Sequence, residues 1–109
     1  MIQHEPVNTI MRALADPTRR AVYERIASSG EITVVELTRG SGVTQGAVSQ
    51  HLKTLKLAGL VAERPEGRNV FYRIEPEGLA PLAGWMRHYD AFWRERFGKI
   101  RDILKEIDT

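Results

Sequence analysis

Apolar residues recur at helical spacing through most of this chain and alternate in only one stretch. Ile10, Met11 and Leu14 mark a short first helix from Val7 to Ala15. Asp16-Pro17 follows, a capping carboxylate ahead of a proline suited to the first helical position. It opens a second helix that turns Ala21, Val22 and Ile26 inward and stops at Gly30. Thr33 and Glu36 have the S/T-x-x-E spacing of a capping box, which predicts a short helix around Val34 and Leu37. Gly40-Ser41-Gly42 then breaks the chain before a helix of roughly four turns, opened by Thr44 and closed by Gly59.

That helix is the most informative. Val48, Leu52 and Leu55 define one buried face, while Gln45, Gly46, Ser49, Gln50 and Lys53 occupy the other. The second face offers small or hydrogen-bonding side chains, one cation and no carboxylate. An α-helix fits the major groove of B-DNA, where amide and hydroxyl groups can read base edges. A short helix, a glycine turn and a second helix are the parts of a helix-turn-helix, here about 33–58.

Past Gly59 the period changes to two. Leu60 to Arg64 and Asn69 to Ile74 predict a hairpin wing over about 60–74, joined by a turn containing Pro65, Glu66 and Gly67. Val70 and Tyr72 share one face of it, Phe71 and Arg73 the other. Arg64 and Arg68 are placed to meet a phosphate line or minor groove. The last segment, about 79–107, predicts one long helix on the order of 40 Å. Its stripe of Trp85, Tyr89, Phe92, Trp93, Phe97, Ile100, Ile103, Leu104 and Ile107 is more than the shorter helices can bury. The stripe therefore predicts self-association, with Val7, Ile10 and Leu14 of the first helix as further interface material. The fold class is mainly α with a β-hairpin: four helices, a two-stranded wing and a final helix, in a single winged helix-turn-helix domain spanning 1–109.

Composition narrows the choices. A chain of 109 residues, 42% hydrophobic, makes one small domain with a modest core, which also favours a dimer. The net charge of +2 says little, but Arg39, Lys53, Lys56, Arg64, Arg68 and Arg73 face only Glu63 and Glu66 between 39 and 73, a local balance of +4. There is no cysteine, so disulfides, thiolate metal sites and redox switches are unavailable. No run reaches membrane-spanning length, and the opening MIQHEPVNTI lacks a signal peptide's design, so a soluble cytoplasmic protein is expected.

ADPTRRAVYERI at 15–26, TVVEL at 33–37, GAVSQHLKTLKLAGLV at 46–61 and GRNVFYRI at 67–74 together resemble the ArsR/SmtB family of bacterial repressors. The resemblance covers nearly the whole chain. It implies a homodimer built from the first and last helices, binding to an imperfect palindrome in a promoter, and release on a signal. The ending WMRHYDAFWRERFGKIRDILKEI resembles a non-metal subgroup whose genes often neighbour those of small START-like ligand-binding proteins. A small-molecule or protein effector is the kind of signal this implies.

Metal chemistry finds few ligands. The family's best-known sensors open the helix before the turn with Cys-x-Cys, and the matching positions here are Thr33 and Val35. The family's other site needs a second histidine after His88 on the final helix, and none follows. Zinc would have to combine His88 with carboxylates of a second subunit. No cofactor is called for. Ser49 and His51 are the nearest nucleophile-and-base pair, but side chains two apart on a helix point about 200° apart. No phosphate loop or HExxH is present, so an enzyme is not expected. Gln45, Ser49 and Gln50 are the expected base readers, with Gly46 allowing close backbone approach. Thr44, Lys53 and Thr33 are expected at phosphates. His51 is open to two readings, a DNA contact or a half-buried anchor of its helix. The alternative for the whole chain is a winged helix that binds another protein.

Overall fold

The Asp16-Pro17 junction organises the first two helices. In the computed structural model, which describes residues 4–108, α1 runs His4–Ala15 and α2 runs Pro17–Ser29. Asp16 accepts the Arg19 N–H at 2.9 Å as the N-cap of α2, and Pro17 takes the first helical position. The two arginines of the DPTRR segment point backward. Arg19 donates to the carbonyls of Arg12 and Ala13, and Arg20 to that of Leu14. Those carbonyls belong to the last turn of α1, which has no helical partners for them, and a cation there also suits the helix dipole.

After Gly30 the chain forms β1 (Glu31–Thr33), α3 (Val34–Thr38) and α4 (Gln45–Leu57). Thr33 and Glu36 make the full capping box. Strands β2 (Val61–Glu66) and β3 (Asn69–Ile74) follow, and the antiparallel sheet has the order β1-β3-β2. β1 is an addition to the two-stranded wing the alternation predicts. A three-residue strand shows no period of its own and forms only because β3 offers it a ladder, with Glu31 opposite Arg73 and Thr33 opposite Phe71. Ile10, Ile26, Leu37, Val48, Leu52, Leu55 and Leu60 form the centre of the core, each below 3% exposure. Ala21, expected inward, lies exposed on α2 between the buried Val22 and the solvent. Gly78 lets the chain cross closely behind β2, since a Cβ there would lie 2.6 Å from the Gly59 carbonyl oxygen.

The final segment is two helices, α5 (Ala80–His88) and α6 (Asp90–Asp108), where the spacing predicts one. Tyr89 leaves helical geometry at φ −107°, ψ 22°, and its N–H bonds Met86 at 3.1 Å, one turn position too early. The charges favour this break. Arg87 and His88 suit a helix C-terminus, and Asp90, paired with Arg94 at 3.0 Å, suits an N-terminus. α5 packs on α1, whereas α6 makes no substantial contact with the other elements. The radius of gyration is accordingly 17.5 Å, against about 13 Å for a compact chain of this size.

Candidate nucleic-acid interface

α4 is positioned by its two ends and its apolar face. Thr44 caps it, its hydroxyl accepting the Ala47 N–H at 3.1 Å. The turn before it is closed by Ser41, whose hydroxyl donates to Thr38 O at 2.7 Å and accepts from Val43 N at 3.2 Å. Arg25 of α2 donates to the carbonyls of Leu37 and Arg39, tying off the end of α3. Val48, Leu52 and Leu55 seat the helix in the core. Sequence reasoning did not find Arg25, because its partners lie twelve and fourteen residues away.

The outward face of α4 presents Gln45, Gly46, Ser49, Gln50 and Lys53 together, all exposed, and none of their side chains hydrogen-bonds within the described residues. Gly46 is unusual there. It has no positive φ, and a Cβ on it would meet only the Thr44 hydroxyl at 3.9 Å, an ordinary contact. Nothing inside the fold requires glycine at that position. His51 sits half-buried on α4. The Asp16 carboxyl is held below its ordinary pKa chiefly by the Arg19 N–H, with the Arg19 and His51 charges adding to it. This location favours the anchoring reading of His51.

Two expected DNA contacts are already engaged within the chain. The Thr33 hydroxyl donates to Glu36 at 2.9 Å and accepts the Glu36 N–H at 3.2 Å, so its one donor, the group a phosphate would need, is used. A carboxylate stands directly beside it. Arg64 is held more firmly. Its Nε and Nη2 donate to the two oxygens of Glu31 at 3.0 Å each, its Nη1 donates to Glu66 at 3.1 Å, and the guanidinium lies 5.0 Å over the Phe71 ring. These carboxylates, Glu31 first, push its pKa further up, and Arg64 in turn holds Glu31 below the ordinary carboxylate value. The register explains the geometry: Arg64 faces Phe71 across β2–β3, and Glu31 enters the same outer face through β1. The local balance of +4 counted along the chain omits Glu31, which only the sheet brings in. Lys56 of α4 is likewise paired with Glu63, and that bond is the main cause holding the Glu63 carboxyl below its ordinary pKa. Arg68 at the wing tip and Lys53 on α4 are exposed cations without an ion pair among the described residues.

The expected dimer surface divides in the same way. Val7 and Ile10 are 4% and 2% exposed, buried in their own chain because α1 lies against α2 and α5, and Leu14 packs half-buried on the same core. Met11 is the large apolar residue that α1 leaves outside. On α5 and α6, Tyr89, Phe92, Phe97 and Ile100 stay exposed, and Trp85 and Trp93 are partly so. Trp85, Tyr89, Phe92 and Trp93 line one apolar hollow, with the Trp85 and Tyr89 rings 5.3 Å apart and the Trp93 and Phe97 rings stacked at 6.1 Å. The Trp93 indole N–H is shielded yet finds no acceptor among the described residues.

A helix-turn-helix domain family matches residues 14–64. The HTH-type transcriptional regulator Rv2034 of Mycobacterium tuberculosis is 50% identical over 82 residues, covering 75% of this chain and 73% of its own. Among solved structures, the ArsR family transcriptional regulator RHA00566 superposes with a TM-score of 0.74 at 34% identity, covering 86% of this chain and 97% of that one. The homodimeric winged helix-turn-helix DNA-binding domain Mb0332 of Mycobacterium bovis superposes with a TM-score of 0.64 at 30% identity, covering 80% of each chain.

Proposed function

Because this chain belongs to the ArsR family of winged helix-turn-helix regulators, we propose that it is a homodimeric repressor that binds a palindromic promoter operator and is not governed by a metal. The family is one of DNA-binding transcriptional regulators rather than enzymes. The observation that carries the reading is the outward face of α4, polar, unpartnered and bearing a glycine that the fold does not need. Gln45, Ser49 and Gln50 read base edges in the major groove, and Gly46 lets the helix backbone approach. Thr44 and Lys53 set the register on phosphates, and Arg68 carries the wing's contact. The whole of 1–109 acts as one DNA-binding unit, paired through α5, α6 and Met11.

A homodimer presents two α4 helices to one side of the duplex, so half-sites lie about one helical turn apart or a multiple of it. Homodimerisation is supported by the homodimeric relative and by the exposed aromatic face of α5 and α6. Metal independence is supported by the residues at the relevant positions. Thr33 is committed to its capping box, Val35 has no donor, and the His88 ring packs edge-on against Tyr89 at 4.9 Å. An effector would then be a small molecule or a protein. No helix among the described residues is long and apolar enough to cross a membrane. The deciding experiment is sequencing of duplex fragments selected by the purified protein, followed by footprinting. A dyad-symmetric motif is expected; enrichment of no motif, or a footprint without symmetry, would refute the proposal.

A further inference from the structure

Arg64 stands on β2 opposite Phe71, two residue pairs from the Glu66–Asn69 pair that borders the wing turn. Two residues of strand span roughly 7 Å, within the length of an extended arginine, so its guanidinium can reach the wing's edge. It is drawn back instead. Glu31 holds it bidentately from the far side of β3, and Glu66 takes a third N–H. All three side chains are exposed, with the arginine 44% and Glu31 37% accessible, so their association contributes little to stability. What the cluster does alter is the field. Arg64 and Arg73 are offset there by Glu31 and Glu66, which leaves that face of the wing without net charge, and Arg68 at the tip stands outside the cluster.

We infer that Glu31 and Glu66 withhold Arg64 from the DNA backbone and so restrain the wing's sequence-independent affinity. The inference rests on the DNA-binding reading above and concerns how that surface is tuned. A phosphate contact by Arg64 would add affinity to every duplex alike, because phosphate contacts carry no sequence information. Any DNA phosphate that engages Arg64 must first displace a bidentate carboxylate, whose two parallel N–H···O bonds equal in number those a phosphate can offer. Glu31 is therefore a competitor built into β1, the strand that leads directly into the helix-turn-helix.

A double-mutant cycle tests this. Glu31→Gln, Arg64→Gln and the double variant are compared with the wild type by fluorescence anisotropy on a selected operator and on random duplex, from about 50 to 200 mM salt. Melting temperatures are recorded alongside. Glu31→Gln should tighten random duplex and operator by the same several-fold factor and steepen both salt slopes by about 0.9 for the recruited phosphate. In the Arg64→Gln background the same substitution should leave both unchanged. Glu66→Gln, which removes one bond instead of two, should act in the same direction and less strongly, and serves as the second variant should Glu31→Gln loosen the wing. An equal gain in both backgrounds would overturn the inference, since it would reflect only the lost negative charge. So would an Arg64→Gln protein that already binds more weakly than wild type with a shallower slope, because Arg64 would then be on the DNA from the start. If the wild type binds no duplex at any salt, the DNA-binding reading itself fails and this inference with it.

Discussion

Gly46→Ala separates what the fold needs from what the DNA surface needs. The substitution adds one methyl group to the second residue of α4. Within the chain that methyl has room, its nearest neighbour being the Thr44 hydroxyl at 3.9 Å, and the backbone is already helical. Alanine is a better helix residue than glycine by about 0.5–1 kcal/mol, the smaller figure applying near an end. The variant should thus melt higher, by about 2–4 °C. On the DNA the same methyl stands between the first turn of α4 and the groove. Inserting a methyl into a packed contact costs about 1–3 kcal/mol, which corresponds to operator affinity falling roughly 5- to 150-fold. Thermal denaturation and anisotropy on the selected operator measure the two effects on one preparation. A stabilised variant with unchanged affinity would refute the assignment of this turn to the DNA. A destabilised variant would refute the local reasoning about the helix.

Other outcomes follow from the same geometry. Gln50→Ala should relax discrimination at one or two base pairs and cost about 1–3 kcal/mol on the operator, whereas Arg68→Ala should weaken all duplexes evenly and make the salt slope shallower by about one; selection and salt titration distinguish them. Phe92→Glu or Trp93→Glu should give a monomer that has lost tight operator binding although α4 is untouched, and sedimentation together with concentration-dependent melting would show it. Zinc, cadmium or arsenite at low micromolar concentration should leave the operator complex intact; stoichiometric release would point to an intersubunit site at His88. Asp16, Glu31, Glu36 and Glu63 all have carboxyl pKa values lowered in the fold, chiefly by the Arg19 N–H, Arg64, Thr33 and Lys56 respectively. A lowered folded-state pKa means stability that is fully present above the ordinary values of 3.8 and 4.5 and is lost as pH falls through the lowered ones. Melting temperature should therefore hold steady down to about pH 5 and decline below it, with Asp16→Asn showing a shallower decline.

The features legible in the sequence act over one to four residues. Asp16-Pro17 starts α2, Thr33 and Glu36 box the start of α3, Thr44 caps α4, and the spacing of Val48, Leu52 and Leu55 sets which face of α4 looks outward. Each works through a backbone bond or a helical period that needs no other part of the chain. From that face alone the proposed reading residues Gln45, Gly46, Ser49 and Gln50 could be named. What only the tertiary structure decides involves partners distant in sequence. Glu31 and Arg64 lie 33 residues apart and meet because β3 runs between β1 and β2, which gives Arg64, an expected DNA contact, an internal ion pair. Val7 and Ile10 belong to the core because α1 is wedged between α2 and α5, and a helical period states that a face is apolar without stating what covers it. The break at Tyr89 was written in the charges of Arg87, His88 and Asp90, but a continuous aromatic stripe concealed it, since periodicity reports the face of a helix and not its ends.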